Sequence, residues 1–477
     1  MNATATINDP ALLASEVGSF AIDSREVQPG SVFFALSQPD YRNNGFNGDF
    51  NDSTGFVPAA FEKGAAACVV RSDRFEEHRA DLEGFRNRLI FVDDTIAAFQ
   101  RLAHGVYLEW DKPVVAITGS AGKTTAKELT AHVLHSSGRK VLRNIKNYNN
   151  GLGHPLTVLN LAADKSYDVA VLEMGMSTPM NEIERLCRIT PPDVAVELNV
   201  LPVHVEHLGS IENVARAKAE LVEGMKPGGT AVLNADDPRV ADMRCLSKGR
   251  TLTFGINEAA DVRAENIKFA GFGKTDFTLS HGGEQANVQF SLNGRHNISN
   301  ALAAAAVGLS FGMTVAEIAE SLKTVESPPQ RGEVLHFMEG FTVINDSYNS
   351  NPDALLSMVE TLVDGGAAAK RKIVVAGEML ELGGDENGIH RRTGEKIASS
   401  GIDMLIGVRG LAKELVEGAR AAGLANAEFA VDADAAGDML VRTVAAGDVI
   451  LIKGSRGVRT EKVIEKLLEK FQLEGKG

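Results

Sequence analysis

The stretch PVVAITGSAGKTTAKELTAHVLHSSG, residues 113–138, constrains the fold more than any other part of the chain. Val114-Val115-Ala116-Ile117 is a continuous β-branched and apolar run, the pattern of a strand buried on both faces. A glycine-punctuated turn follows, and the sequence then predicts a helix over 124–134. Gly119 and Gly122 let backbone N–H groups close around an anion, while the new helix aims its unpaired N–H groups and positive dipole end at the same point. Lys123 adds a mobile positive charge, and Thr124 a hydroxyl where a magnesium ion bridging two phosphates would sit. The full pattern G-x-x-x-x-G-K-[ST] is shortened here, because Ile117 stands where its first glycine belongs. Strand, Gly, Gly-Lys-Thr-Thr and helix in that order read as a nucleoside-triphosphate loop; the alternative is a chance glycine-rich turn.

The chain around this loop has 477 residues, length for about three domains. A net charge of −14 argues against nucleic acid and anionic membrane as partners, and leaves anionic small substrates to local basic residues. Cys68, Cys187 and Cys245 are too widely spaced, and odd in number, for a disulfide framework or a zinc site. The longest apolar stretch, residues 301–309, is far short of a membrane span, and the amino terminus lacks a charged-then-apolar signal pattern. A monomer in a reducing cytoplasm, without membrane insertion, is expected.

Taken in order, residues 1–112 form a first unit. Its clearest signal is Asp23-Ser24-Arg25, followed by Gln28-Pro29-Gly30 and an apolar strand over 31–36. Arginine beside a hydroxyl at a turn suits a phosphate or diphosphate; a solvated turn is the other reading. Residues 37–55, rich in Asn, Asp and Gly, read as a long loop. The second unit, 113–326, has apolar runs ending at Thr118, Glu173, near Asn199 and at Asn234, with helical stretches between. That alternation predicts a parallel sheet whose ligands lie beyond the strands' carboxyl ends. Short alternating strands follow over 262–292, then helices over 297–311 and 315–323. The linker Glu326-Ser327-Pro328-Pro329-Gln330 leads into a third unit, 327–477, with strands at 341–345, 372–376, 403–408 and 448–453. The expected fold class is α/β: a small N-terminal α/β domain, a central P-loop domain with a parallel sheet, and a C-terminal Rossmann-like domain.

Glu173 ends the second strand of the central unit, where a carboxylate can hold magnesium or simply face water. His204 lies just past the third strand, at the edge where the nucleotide belongs. Lys218 carries more information than either. In the helix that begins after Ser210, apolar residues recur at 211, 214, 215, 221, 222 and 225, and Lys218 fills the missing place on that face. Glu212, Arg216, Glu220 and Glu223 are expected on the opposite side. A buried ammonium is costly unless paired or neutral, and a neutral lysine reacts with carbon dioxide to give a metal-binding carbamate. Snorkelling to the helix edge is the alternative. Glu197 places a carboxylate inside an expected buried strand, and the sequence offers no account of it.

Together these motifs resemble the Mur ligases, ATP-dependent amide-bond-forming enzymes of peptidoglycan synthesis. The likeness rests on Gly119-Ser120-Ala121-Gly122-Lys123-Thr124-Thr125, Glu173 in L-E-M-G, His204 in H-V-E-H-L-G-S and Lys218 in A-R-A-K-A-E. It continues through Asn234-Ala235-Asp236-Asp237, the run G-R-H-N-I-S-N-A from Gly294, and Arg331. The resemblance implies that Gly119, Ser120, Ala121, Gly122, Lys123, Thr124 and Thr125 bind ATP phosphates. It makes Thr124 and Glu173 ligands of one Mg2+, and Glu173, His204 and carbamylated Lys218 ligands of a second. It implies that Asn297 and Asn300 face adenine, Arg331 the γ-phosphate, and Asp346 and Tyr348 the ribose side. Lys123, Lys218, His204, Glu173 and Arg331 would form the catalytic set.

Within the family, I-N-D-S-Y-N-S-N-P from Ile344, N-Y-N-N-G-L-G-H-P-L-T from Asn147 and Lys453-Gly454-Ser455-Arg456 look like the member that joins D-alanyl-D-alanine to the UDP-linked muramoyl tripeptide. The D-N-P-R motif of the diaminopimelate-adding sibling is absent from the sequence. Ser24 and Arg25 would hold the UDP part, and Asn149, Asn150, Lys453, Ser455 and Arg456 the remaining substrate. One departure is that N-G-F-N-G-D-F from Asn44, in a longer loop, replaces the short D-G-H-x-F segment usual in the first domain. Rival readings are another amino-acid ligase of the same fold, of Mur type or one extending folate with glutamate, and a binding protein that uses ATP only as a switch.

Overall fold

The computed structural model describes residues 4–5, 17–46, 51–145, 147–176, 181–202, 208–326, 329–380 and 382–475. His204 lies outside the described residues, as do Ser327 and Pro328 of the linker and residues 47–50 of the expected loop.

Apolar runs build three sheets in succession. The first holds β1 (Thr4–Ala5), β2 (Ser19–Ala21), β3 (Ser31–Phe34), β4 (Ala67–Arg71) and β5 (Leu89–Val92), in the order β1-β5-β4-β3-β2. Only β1 runs antiparallel to its neighbour. Two helices of this unit matter below, α1 (Gln38–Asn43) and α2 (Thr95–Trp110).

α1 corrects the expected loop over 37–55. Ser37 caps it, Pro39 sits in its first turn, and its Asp40 is fully buried. Asp40 pairs with Arg71, and its Oδ2 accepts from the Thr95 N–H at 2.7 Å and the Thr95 hydroxyl at 2.8 Å. An Asn/Asp/Gly-rich composition points to turns, but a buried carboxylate with three long-range donors outweighs that local preference.

The central sheet contains β6 (Val114–Thr118), β7 (Val141–Arg143), β8 (Val169–Glu173), β9 (Val194–Glu197), β10 (Thr230–Asn234), β11 (Arg250–Gly255), β12 (Val262–Phe269), β13 (Thr275–His281) and β14 (Glu284–Phe290). Their order is β14-β13-β12-β11-β10-β9-β6-β8-β7, parallel from β7 to β12 and antiparallel beyond. Every residue of β6 and β8 is buried, as expected of a sheet covered on both faces. On one face Val115, Ile117, Val169, Val171 and Val196 pack against α3 (Lys123–Ser136) and α5 (Arg295–Ser310). On the other, Ala116, Ala170, Leu172 and Ala195 pack against α4 (Ile211–Glu223) and residues of α2. The chain leaves β6 for β7 and β8 on one side and reaches β9 on the other. β6 is therefore the switch point, and its carboxyl end is the crevice where ligands of open α/β sheets bind.

The third sheet contains β15 (Glu333–His336), β16 (Thr342–Asp346), β17 (Arg371–Gly377), β18 (Met404–Val408), β19 (Ala427–Ala430) and β20 (Asp448–Lys453), with α6 (Pro352–Gly365) between β16 and β17. The order is β15-β16-β20-β17-β18-β19, parallel except for β15. Four of these strands match the sequence expectation. The two edge strands, β15 and β19, do not appear in it.

Candidate active site

The turn after β6 is held in place before any ligand enters. Asn199, just beyond β9, donates from Nδ2 to the Ala121 carbonyl at 3.1 Å, while its Oδ1 accepts the Ala121 N–H at 2.8 Å. Its own carbonyl accepts the Ser120 N–H at 3.0 Å. Two N–H groups of the loop are thereby committed to Asn199, which leaves the first turn of α3 as the anion-facing part. Gly122 has φ +82°, and a Cβ there would lie 2.6 Å from Asn300 Oδ1, so glycine is required on both counts. Asn300 is thus packed beneath the loop.

Lys123 folds over the turn, its Nζ donating to the Gly119 carbonyl at 2.7 Å. Loss of hydration pushes its amine down, Glu173 opposes that shift and Arg331 reinforces it. Glu173 pairs in register with Ile117 at the carboxyl end of β8. Its Oε2 accepts the Thr124 hydroxyl at 2.7 Å and its Oε1 accepts Asn149 Nδ2 at 2.7 Å. Asn144 fixes the loop that carries Asn149: its Oδ1 accepts the Glu173 N–H, and its Nδ2 donates to the carbonyls of Glu173 and Tyr148. Buried Lys127, on α3, donates to the Asn144 carbonyl at 2.6 Å.

A cleft of about 490 Å³ joins this loop to the third sheet; Ser120, Ala121, Gly122, Lys123, Thr124, Thr125, Asn149 and Glu173 line one side, and Arg331, Asp346, Tyr348 and Lys453 the other. Its size is that of a small-molecule site. Asp346 and Lys453 end adjacent parallel strands in register and form an ion pair at 2.5 Å, and Lys453 also donates to the Asn349 carbonyl at 2.8 Å. The Arg331 guanidinium lies 4.0 Å from the centre of the Tyr348 ring. His296 and Asn297 line the cleft at the start of α5. The His296 Nδ1 is 3.1 Å from the Ser357 hydroxyl of α6, and burial holds its imidazole down at about 4, so it is neutral near pH 7.

Two domain models match the chain, the Mur ligase middle domain over residues 117–308 and the Mur ligase glutamate ligase domain over 330–456. The UDP-N-acetylmuramoyl-tripeptide–D-alanyl-D-alanine ligase of Bacillus subtilis is 31% identical, over 97% of this chain and 96% of its own length. The chain belongs to the Mur ligase family. The enzyme of the same description from Escherichia coli is 33% identical over 94% of this chain and 93% of its own. Among solved structures, MurF from Acinetobacter baumannii superposes with a TM-score of 0.83 at 27% identity, covering 96% of this chain and 94% of its own. MurF from Thermotoga maritima, solved with ADP, gives 0.80 at 28% identity, covering 97% and 99%. A folylpolyglutamate synthase from Mycobacterium tuberculosis, at 17% identity and a TM-score of 0.61, shares the fold.

In this Mur ligase not every residue singled out from the sequence reaches the cleft. Asn150 spends its Oδ1 on the Leu152 and Gly153 N–H groups. Ser24 and Arg25 stand at an exposed turn of the first unit, where Arg25 pairs with Asp23 at 2.6 Å and Lys63 donates to the Ser24 and Arg25 carbonyls. Buried Ser455 accepts the Leu380 N–H, and Arg456 reaches Gln330 and Glu461. Lys218 is buried, which decides for the inward-facing reading over snorkelling, with its amine pushed down to about 7 by burial and by Lys123, against the pull of Glu197. Glu220 corrects the expected polar side of that helix: it is buried, and its Oε2 accepts the Glu184 N–H at 3.1 Å, supplying an acceptor at a helix start that its own N-cap residue does not cap. Sequence reasoning gave no role to Asn144, Lys127, Asn199 or His296. The Asn199 position at a strand end was a usable signal; the Lys127 role depends on a contact that helix periodicity does not encode.

Proposed function

We propose that this Mur ligase joins D-alanyl-D-alanine to the terminal carboxylate of UDP-N-acetylmuramoyl-tripeptide, at the expense of ATP and through an acyl phosphate. The observation that carries the reading is the single cleft that brings the phosphate loop, Glu173, Arg331 and the Asp346–Lys453 pair together. Relatives named for this reaction, matched over nearly their whole length, support the choice of substrates.

A carboxylate is anionic and a poor electrophile. Moving the γ-phosphoryl group of ATP onto it makes an acyl phosphate; the dipeptide amine then attacks the carbonyl carbon, and phosphate leaves from the tetrahedral intermediate. Anion must approach anion, so positive charge and positioning do most of the catalytic work. Lys123 and the first-turn N–H groups of α3 take the β- and γ-phosphates, and Arg331 approaches the γ-phosphate from across the cleft. Asn297 and His296 face the base, with Asn300 holding the loop from below, and Asp346 and Tyr348 take the ribose side. Lys453, beside Ser455 and Arg456, suits the carboxylate of the incoming dipeptide. Thr124 and Glu173 suit one Mg2+, because a hydroxyl and a carboxylate already converge beside the loop; His204 and a carbamate on Lys218 would complete a second site with Glu173. Bound magnesium supplies charge neutralisation between the phosphates and the attacking carboxylate.

In this reading residues 1–112 hold the UDP part near Ser24 and Arg25, residues 113–326 hold ATP, and residues 327–477 hold the dipeptide. Among the described residues no helix is long and apolar enough to cross a membrane. Dependence on ATP and three unpaired cysteines support a cytoplasmic setting. Trapping tests the chemistry: ATP and the UDP-linked tripeptide with hydroxylamine in place of the dipeptide should give a tripeptide hydroxamate. ATP consumption without any hydroxamate would contradict an acyl phosphate.

A further inference from the structure

Glu197 is a fully buried carboxylate to which the reaction gives no task. It closes β9, paired in register with Thr118 at the end of β6. Alternation along the strands puts Glu197 on the side of Ala195 and Thr118 on the side of Ala116, the face that α4 covers. Glu173 points to the opposite face, toward Thr124 on α3. Neither oxygen of Glu197, nor the Thr118 hydroxyl, has a hydrogen-bond partner among the described residues.

A bare buried carboxylate costs several kcal/mol in general, and a hydrocarbon of similar size would stabilise the same position. Such a group persists when it serves a charge nearby. Burial pushes the Glu197 carboxyl well above the usual carboxylate range; among the charges around it, buried Lys218 on α4 acts most strongly against that shift, Asp237 reinforces it and Lys123 also opposes it. Glu197 and Lys218 make no hydrogen bond or ion pair with each other as they stand. Glu197 thus has two oxygens without partners on the sheet face that α4 covers with its buried lysine.

We propose that Glu197 is a positioning residue for Lys218: an oxygen of its carboxyl group accepts an Nζ–H of the lysine and fixes that side chain toward the magnesium side of the strand ends. The inference rests on the magnesium-centre reading above. Carbamylation bonds the carbon of CO2 to the neutral Nζ, sends one C–O π pair to oxygen and releases one N–H proton to solvent. One N–H remains on the nitrogen, and in a buried layer it needs an acceptor. Glu197 supplies it, with the Thr118 hydroxyl able to donate to the second oxygen. A group that orients a metal ligand through its remaining N–H is a known way to set both geometry and affinity.

The test uses the full chain with 13C-labelled bicarbonate, reading the lysine carbamate by 13C NMR without nucleotide, and separately the Mg2+ concentration for half-maximal ATP consumption. Glu197→Leu removes a buried polar group that has no hydrogen-bond partner among the described residues, so Tm should rise, while carbamate occupancy falls and the Mg2+ requirement rises by about tenfold or more. Glu197→Gln keeps an acceptor oxygen of the same reach and should stay near the parent in both readings. A residue that merely fills space predicts the reverse, with leucine tolerated at least as well as glutamine. If Glu197→Leu keeps the parent's carbamate signal and Mg2+ requirement, or glutamine fails as completely as leucine, the inference is overturned. If the parent shows no carbamate and Lys218→Ala retains full activity, the magnesium-centre reading falls and takes the inference with it.

Discussion

Glu173 uses both of its oxygens before any metal arrives, one on the Thr124 hydroxyl and one on the Asn149 amide. Held this way, the magnesium ligand proposed above would be preorganised, and losing it should change metal dependence more than nucleotide binding. Glu173→Ala is expected to raise the Mg2+ concentration for half-maximal ATP consumption by about 10–100-fold, while metal-free ADP binding, measured by calorimetry, changes little. Equal loss of both would assign Glu173 to the fold instead. His154 makes a different prediction. It is buried, its Nε2 is 2.7 Å from the Thr190 hydroxyl, and burial holds its imidazole down at about 3. The unfolded chain binds that proton near pH 6.5, so between about 6.5 and 3 the unfolded state carries more protons and stability falls as pH falls. The slope from this one group is about 1.4 kcal/mol per pH unit. Urea midpoints of the parent and His154→Gln across that window should diverge toward acid, with the parent falling faster; parallel curves would contradict a neutral buried His154.

At the scale of elements, short helices and loops are pinned by single buried groups. Asp40 ties α1 to β4 through Arg71 and to the start of α2 through Thr95. Asp40→Ala should cost about 2–3 kcal/mol, since it removes hydrogen bonds to a charged group, while Arg71 keeps Asp73 as a partner. Chemical denaturation measures this, and a change below about 0.5 kcal/mol would be that of an ordinary surface substitution. α1 was illegible in the sequence because its stability comes from residues 31 and 55 positions away. α4 was legible because its apolar period is complete except at Lys218. Even there Glu220 broke the pattern, since the acceptor it supplies serves another helix.

For the whole molecule, the alternation of apolar runs and helical stretches carries the α/β class and the loop beyond β6, because parallel strands buried on both faces leave continuous signals. The edge strands β15 and β19 have four residues each and include partly exposed positions, too little pattern to separate from loop. The meeting of the central and third sheets was not readable either. Asp346 and Lys453 are 107 residues apart, and only the parallel register of β16 with β20 makes them a pair facing Lys123 across one cleft. That meeting is the basis of the functional account: the phosphate loop activates a carboxylate at a place where the third sheet can deliver an amine. Phosphate release from ATP in the presence of UDP-N-acetylmuramoyl-tripeptide tests it most directly, comparing D-alanyl-D-alanine with single amino acids. The account predicts release and a joined product with the dipeptide alone; release with a single amino acid, or ATP turnover without any product, would contradict it.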